Sequence, residues 1–384
     1  MESGRVRIDP VWITDAVTVS ALGDTLDKLW ERLLGGESGI GPVRRFPVDT
    51  FHSDVAACIE DLGRFGEHSM IHDLLDRLFL AMPSVPSDAF LITATTKAGT
   101  DNLEHLCRNV AADSRDILPS EVCDTICLKL GLNGGRININ ASCASSTVAL
   151  ARSAALITMG RADAVLICCL DLVSEFVFSG FSSLQAVSPG PCTPFDRDRK
   201  GLTLGEGAAA LLLMSPERGQ REGRFPLGTI LGWSVTNDAT HITAPSEDGR
   251  GLIQAVRQAL RKAGLEEEAI ASICAHGTGT VYNDMMELTA FHEVFGRRKI
   301  PIYSVKGAIG HTLGAAGGIE AAICLRSLEN GIVPPTTGFH NPEKGAEGMV
   351  SSDPVPMVGD YVLSTNSGFG GVNAAIILGN GSRP

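Results

Sequence analysis

Two stretches of the chain, ADAVLICCL at 162–170 and GEGAAALLLM at 205–214, are almost wholly apolar past their first residues. Both read as buried strands, and around them β-branched runs alternate with alanine-rich segments, the pattern of an α/β layered fold. GLIQAVRQALRKAGL (251–265) predicts an amphipathic helix ending near Gly264, and GGIEAAICLRSLENG (317–331) a helix stopped by Gly331 ahead of Pro334 and Pro335. GGRININ (134–140) and ASICAHG (271–277) read as strands, the second feeding a polar loop. MMELTAFHEVFG then reads as the helix after that loop, with Asp284 as its N-cap. The end, DYVLSTNSGFGGVNAAIILG, reads as strand, glycine-rich turn, strand. A chain of 384 residues exceeds the usual reach of one hydrophobic core, so two packed halves are expected. The seam is SPERGQREGR (215–224), dividing 1–214 from 215–384, and the halves share no repeat at the level of sequence identity.

Composition removes several function classes. A net charge of −12 argues against a general nucleic-acid surface, because phosphate binding needs clustered cations. The short basic spots VRRF (43–46) and DRDRK (196–200) read as solvated surface. No uncharged apolar run of about 18 residues predicts a membrane span. The start, MESGRVRIDPVW, lacks the apolar centre of a secretory signal. Ten cysteines without paired spacing predict neither a disulfide framework nor a metal site, and Cys168 and Cys169 read as core packing. The expectation is a reduced, cytoplasmic protein.

One cysteine stands apart. Cys143, in NASCASSTVALARSAALITMG (140–160), lies where a strand candidate runs into a small-residue helix. Unpaired N–H groups at a helix start favour a thiolate and can hold an oxyanion. Ala144, Ser145 and Ser146 leave room for a thioester to approach. Downstream, AHGTGTVYND (275–284) puts His276 at a strand end, and KGAIGHTLGAAGG (306–318) puts Lys306 and His311 in a glycine-rich loop before a helix. Reactive residues of α/β folds gather at such junctions.

These segments resemble the β-ketoacyl-acyl carrier protein synthases, the elongating condensing enzymes of fatty acid and polyketide synthesis. The matching pieces are SCASS around Cys143, CTPFDRDRKGLTLGEGAAALLL (192–213), AHGTGT with Asp284 and Glu287, KGAIGHTLGAAGGIEA (306–321), VPPT (333–336) and NSGFGGVNAAIIL (366–378). They occur in the family's order from about residue 90 to the end. The resemblance implies the thiolase fold, two similar βαβαβαββ halves stacked in five αβαβα layers. It implies an acyltransferase in which Cys143 takes an acyl group from a carrier thioester, and decarboxylation of malonyl-acyl carrier protein then supplies the attacking enolate. His276 and His311 match the paired histidines, whose neutral rings would donate N–H bonds to the enolate oxygen. Lys306 matches the family's lysine, expected to orient His311, and Glu287 the glutamate that pairs near it. Phe369 matches the gating phenylalanine, its N–H joining that of Cys143 in an oxyanion hole. Thr278, Thr280 and Thr243 match the residues that hold the phosphopantetheine arm.

The resemblance further implies no cofactor of its own, since phosphopantetheine arrives on the carrier, and no metal. Expected partners are the acyl carrier protein and a second subunit, in a homodimer or a heterodimer with a chain-length-factor-like paralogue, with no nucleic acid or membrane. Three departures point to a specialised type II polyketide, aryl polyene or fatty acid system. The stretch 49–93 is shorter than in housekeeping relatives; it offers His68, His72 and Arg77 but no lysine cluster, leaving Arg64, Arg108 or Arg115, or a partner subunit, for carrier docking. Ser367 and Val372 replace a phenylalanine and a threonine of the gating loop, and Thr193 stands where many relatives have arginine. The competing readings are a non-catalytic chain-length-factor-like subunit, which would lack the cysteine, and an acyl-CoA-primed initiating synthase, which would replace the second histidine by asparagine. A thiolase would carry a second cysteine near the GFGG turn.

Overall fold

The computed structural model describes residues 10–381; residues 1–9, at the start read above for a leader, lie outside the described residues. One ten-stranded sheet system runs through the molecule. Its strands in chain order are β1 (Val11–Ser20), β2 (Phe90–Ala94), β3 (Arg136–Ile139), β4 (Ala164–Asp171), β5 (Gly207–Met214), β6 (Gly228–Asn237), β7 (Ile270–Cys274), β8 (Ile302–Tyr303), β9 (Tyr361–Gly368) and β10 (Val372–Asn380). Read outward from the middle, one half runs β1-β5-β4-β2-β3 and the other β6-β10-β9-β7-β8. Both halves therefore place their first, fifth, fourth, second and third strands in the same order. The pairings repeat as well: β2 is parallel to β3 and β4, β7 to β8 and β9, and the remaining pairs in each half are antiparallel. A duplication invisible in residue identities is plain in the topology. Among the described residues the halves meet edge to edge only where Val11–Ile13 of β1 faces Gly228–Ile230 of β6.

Helices of ten residues or more are α1 (Ile71–Leu80), α2 (Pro119–Leu130), α3 (Ser145–Thr158), α4 (Arg250–Ala263), α5 (Val281–Phe295) and α6 (Ala316–Asn330). Strand alternation assigns them to layers. Val165, Ile167 and Cys169 of β4, with Ala209, Leu211 and Leu213 of β5, face an inner core shared with α3 and α6. Leu166, Cys168 and Leu170, with Ala208, Ala210 and Leu212, face an outer core under α1 and α2. In the other half Val362, Ile376 and Leu378 point inward, whereas Leu363, Ala375 and Ile377 point out towards α4 and α5. The result is five layers, helix, sheet, helix, sheet, helix. Strands covered on both faces need no polar alternate, which is why β4 and β5 read as unbroken apolar runs.

The two central helices approach closely enough to require glycine. A Cβ on Gly317 would lie 1.9 Å from the Thr147 hydroxyl of α3, and one on Gly318 would lie 2.2 Å from the Cys169 sulfur. Gly264 and Gly331 close α4 and α6 in the left-handed conformation, as their sequence positions predict. The Asp284 expectation needs correction: α5 starts at Val281 with Thr280 as its N-cap, and Asp284 is buried inside the first turn. There its carboxylate accepts the N–H groups of Phe195 (2.8 Å) and Gly279 (3.2 Å) instead of capping its own helix. The basic spots are also less solvated than their composition suggests. Arg199 is 1% exposed against Glu343 and Asp284, and Arg45 grips buried Glu206 through both terminal nitrogens.

Candidate active site

Cys143 sits at the crossing from β3 into α3. Ser142, just before it, holds φ +52°, a sharp turn for a residue with a Cβ. Ser145 pins this elbow, its hydroxyl accepting the Ala141 N–H (2.9 Å) and donating to the Ser142 carbonyl (2.6 Å). Ser146 accepts the Gly318 N–H (3.0 Å) and so ties the elbow to α6. Ala144, Ser145 and Ser146 are buried beneath the sulfur. Their small size serves the packing of α3 on α6, and the approach to the thiol lies on the other side.

That side is a cavity of about 360 Å³, lined by Cys143, His276, His311, Phe369 and the threonines 243, 278 and 280. A sulfur and two ring nitrogens, one each from Cys143, His276 and His311, lie within 4.8 Å of one another. The two imidazoles meet edge to face, 5.2 Å between centroids at 84°. The loop of each histidine is held by its backbone. His276 N–H donates to Glu287 (2.7 Å), while His311 N–H donates to Thr203 O (2.7 Å).

The ring of His276 has a defined tautomer. Asn366 must turn its amide oxygen to the Thr147 hydroxyl and its amide nitrogen to Glu320 Oε2 (2.8 Å), and the same nitrogen donates to His276 Nδ1 (3.0 Å). With Nδ1 accepting, Nε2 carries the proton. The His311 ring has no hydrogen-bond partner among the described residues although it is buried. Burial, and after it the Lys306 charge, holds both imidazoles well below their ordinary pKa. Both rings are therefore neutral at pH 7, as the sequence reading expects.

Other expectations are corrected here. Lys306 Nζ does not pair with Glu287; it donates to Glu320 Oε1 (2.5 Å) and to the His276 carbonyl (2.5 Å), with Lys306 and Glu320 both 1% exposed. Nor does it bond the His311 ring. Glu287 instead accepts the N–H groups of His276 and Gly277 (2.7 Å each) and the Asn283 amide (2.9 Å). Burial and the nearby Asp284 push its carboxyl up to about 8 against the pull of those donors. The resting thiolate also needs correction. Burial pushes the Cys143 thiol up to about 11, and Lys306 with the N–H groups of Phe369 and Cys143 recovers only part of that shift. The sulfur rests as a neutral thiol.

The N–H groups of Phe369 and Cys143 both favour negative charge at the sulfur, the polarity that an oxyanion hole requires. Thr278 and Thr280 share a hydroxyl contact of 2.9 Å on the cavity wall. The Phe369 ring stacks on Phe181 at 5.8 Å. Behind this stack is a second cavity of about 380 Å³, also reaching Cys143 and lined by Phe176, Val177, Leu184 and Leu313. Lys97 lines it too, its ammonium without a partner among the described residues. Asp171, one residue beyond the strand motif 162–170, was not singled out by the sequence reading. Its carboxylate binds Thr95, Thr96 and the N–H groups of Lys97 (3.1 Å) and Gly314 (2.7 Å), joining the Thr96–Lys97 side of the second cavity to the segment of Leu313 on the same wall. The arginines considered for docking are engaged: Arg64 with Asn102, Arg108 with Glu175 and Arg115 with Asp113.

Family models for the N-terminal and C-terminal domains of β-ketoacyl synthase match residues 92–218 and 227–340, together more than half of the chain. The chain belongs to the β-ketoacyl synthase family. A 3-oxoacyl-[acyl-carrier-protein] synthase 2 of Coxiella burnetii is 28% identical over 96% of this chain and 98% of its own length. The tetracenomycin polyketide synthase ketoacyl synthase alpha subunit of Streptomyces glaucescens is 33% identical over 68% of this chain and 64% of its own. Among solved structures, the ishigamide ketosynthase/chain length factor superposes with a TM-score of 0.87 at 28% identity, covering 97% of this chain and 99% of the matched one. The thiolase fold and the class of acyl-transferring condensing enzyme thus stand. Among the described residues no helix is long and apolar enough to cross a membrane.

Proposed function

We propose that this β-ketoacyl synthase elongates acyl chains held on an acyl carrier protein, in a specialised type II polyketide, aryl polyene or fatty acid system. The observation that carries the reading is one thiol facing two neutral imidazoles on the wall of one cavity. In the first half-reaction the Cys143 sulfur forms a bond to the thioester carbon and the carrier thiol leaves. The thiol proton passes through the free ring nitrogen of His311 to that leaving sulfur. The Cys143 and Phe369 N–H groups hold the transient oxyanion, a contribution of about 3 kcal/mol per donor.

In the second half-reaction malonyl on the carrier loses CO2, and its bonding pair moves into an enolate. His276 Nε2–H, fixed by Asn366, and an N–H of His311 stabilise the enolate oxygen. The enolate carbon attacks the acyl-Cys143 carbonyl, the C–S bond breaks, and the leaving sulfur takes a proton from water. Lys306 is a positioning residue: after burial, its charge helps keep both rings neutral, and its bonds join the His276 loop to α6. Thr243, Thr278 and Thr280 hold the carrier arm, and Phe369 gates between the two cavities.

The second cavity is the acyl subsite on this reading, and unpartnered Lys97 favours a chain bearing oxo groups. A second subunit fits the half-exposed aromatic and aliphatic rim at Phe176 and Leu184; the ishigamide relative, named as a ketosynthase with a chain length factor, supports such a partner. The chain divides between residues 214 and 215, and its free cysteines suit the cytoplasm. The test separates the half-reactions. Purified protein given an acyl-carrier substrate gains the acyl mass on Cys143, and Cys143→Ala abolishes this. His311→Ala keeps acyl transfer measurable, slowed by loss of its proton relay, while losing condensation by the larger factor. Equal loss in both would refute the assignment.

A further inference from the structure

We propose that His68, His72 and Asp116 form a binding site for a divalent transition-metal cation of the zinc type, where the sequence reading expects no metal. The site lies outside the catalytic cavity and does not depend on the functional proposal. His72 Nε2 is 2.8 Å from Asp116 Oδ1, and His68 Nδ1 is 3.6 Å from Asp116 Oδ2. One ligand atom from each residue falls within 4.8 Å of the others, and the two rings are 4.7 Å apart. Zinc bonds of about 2.1 Å in tetrahedral array separate neighbouring ligands by about 3.4 Å, so small side-chain movements complete the site. Two imidazoles with one carboxylate suit zinc and its neighbours in the first transition row, and three protein ligands leave a fourth position for water.

The surroundings are built for a fixed carboxylate. Asp116 Oδ2 accepts the Ser69 N–H (2.8 Å) and the Asn102 amide (3.1 Å), and that amide also donates to the carbonyls of Glu67 (3.0 Å) and Asp113 (2.9 Å). Partners of this kind orient a metal ligand and raise its affinity. Three donors occupy Asp116, counting His72, and a carboxylate has about four lone-pair sites. On binding, His72 carries its ring proton on Nδ1 so that the Nε2 lone pair turns to the cation. Nearby Arg64 and Arg115 are already engaged with Asn102 and Asp113, and half-exposed His68 provides the way in. The consequence reaches the enzyme. The Asp116 carbonyl accepts the Gly99 N–H (2.9 Å), two residues after Lys97 on the wall of the second cavity. A cation here would clamp the segment around 68–72 to the loop that shapes that wall.

The probe is Zn2+ alone, titrated against a chromophoric chelator into metal-stripped, full-length Cys143→Ala protein, so that the catalytic thiol does not compete. The expected result is one equivalent bound more tightly than in the same protein carrying His68→Ala and His72→Ala, by more than the roughly 10–100-fold that losing a hydrogen-bond partner behind a ligand costs. Zinc should also raise the melting temperature of the parent and leave that of the double variant unchanged. Should the double variant fail to fold, His68→Ala alone, at an exposed position, must show the same direction. Equal affinity and stoichiometry in parent and variant, or no zinc bound by the parent, overturns the proposal.

Discussion

Glu320→Gln tests the one buried ion pair of the site. Lys306 and Glu320 are each 1% exposed, and the ammonium has one other acceptor, the His276 carbonyl. Removing the carboxylate charge leaves a cation in an apolar surround, at a cost of about 3–5 kcal/mol. Unfolding entropy of about 2.1 cal/mol/K per residue, over the length of this chain, gives about 0.8 kcal/mol/K, so the midpoint should fall by about 4–6 °C. Adding Lys306→Met removes the stranded charge and returns about half of that loss. The residual penalty is the unpaired His276 carbonyl, about 1–3 kcal/mol. Scanning calorimetry on the wild type, both single variants and the double variant closes the cycle. A Glu320→Gln midpoint within 1 °C of wild type, or a double variant that loses the sum of the single losses, would refute the reasoning.

Two further outcomes follow from the site. A thiol pushed up to about 11 is protonated at pH 7, and its thiolate fraction grows about tenfold per pH unit. Iodoacetamide alkylation of Cys143, read by intact mass, should therefore keep rising above pH 9, where a free cysteine of pKa about 8.5 is levelling; a plateau below pH 8 would contradict the burial argument. Lys97→Met removes the unpartnered cation from the second cavity, so competition between oxo-bearing and saturated acyl-carrier substrates should shift towards the saturated chain by roughly tenfold, the equivalent of one modest charge-assisted hydrogen bond. An unchanged ratio would remove Lys97 from the acyl subsite.

The candidate reacting groups were legible because their signals are local. A cysteine at a strand-to-helix elbow and two histidines in glycine-rich loops are patterns of backbone conformation, written within a few residues. Their supports were not. Glu320 lies in the same motif as Lys306, yet which glutamate meets the ammonium depends on how α6 is rotated against the His276 loop. Glu287 is the plausible partner by sequence, and it is instead consumed by the backbone of that loop. Asn366 stood in a glycine-rich turn motif, and only the arrangement of Thr147, Glu320 and His276 around it reveals that it sets a tautomer.

By itself the sequence determined the element types, the buried strands and the helix ends at Gly264 and Gly331, because periodicity and chain reversal are properties of neighbouring residues, while Cys143, His276 and His311 entered as candidates through the family motifs around them. The tertiary structure decided the protonation of Cys143, the partners of Lys306 and Glu287, the duplicated strand order, and the meeting of His68 and His72 with Asp116. Each of these depends on burial or on groups brought together across the fold, and desolvation and contact have no signature in a linear pattern.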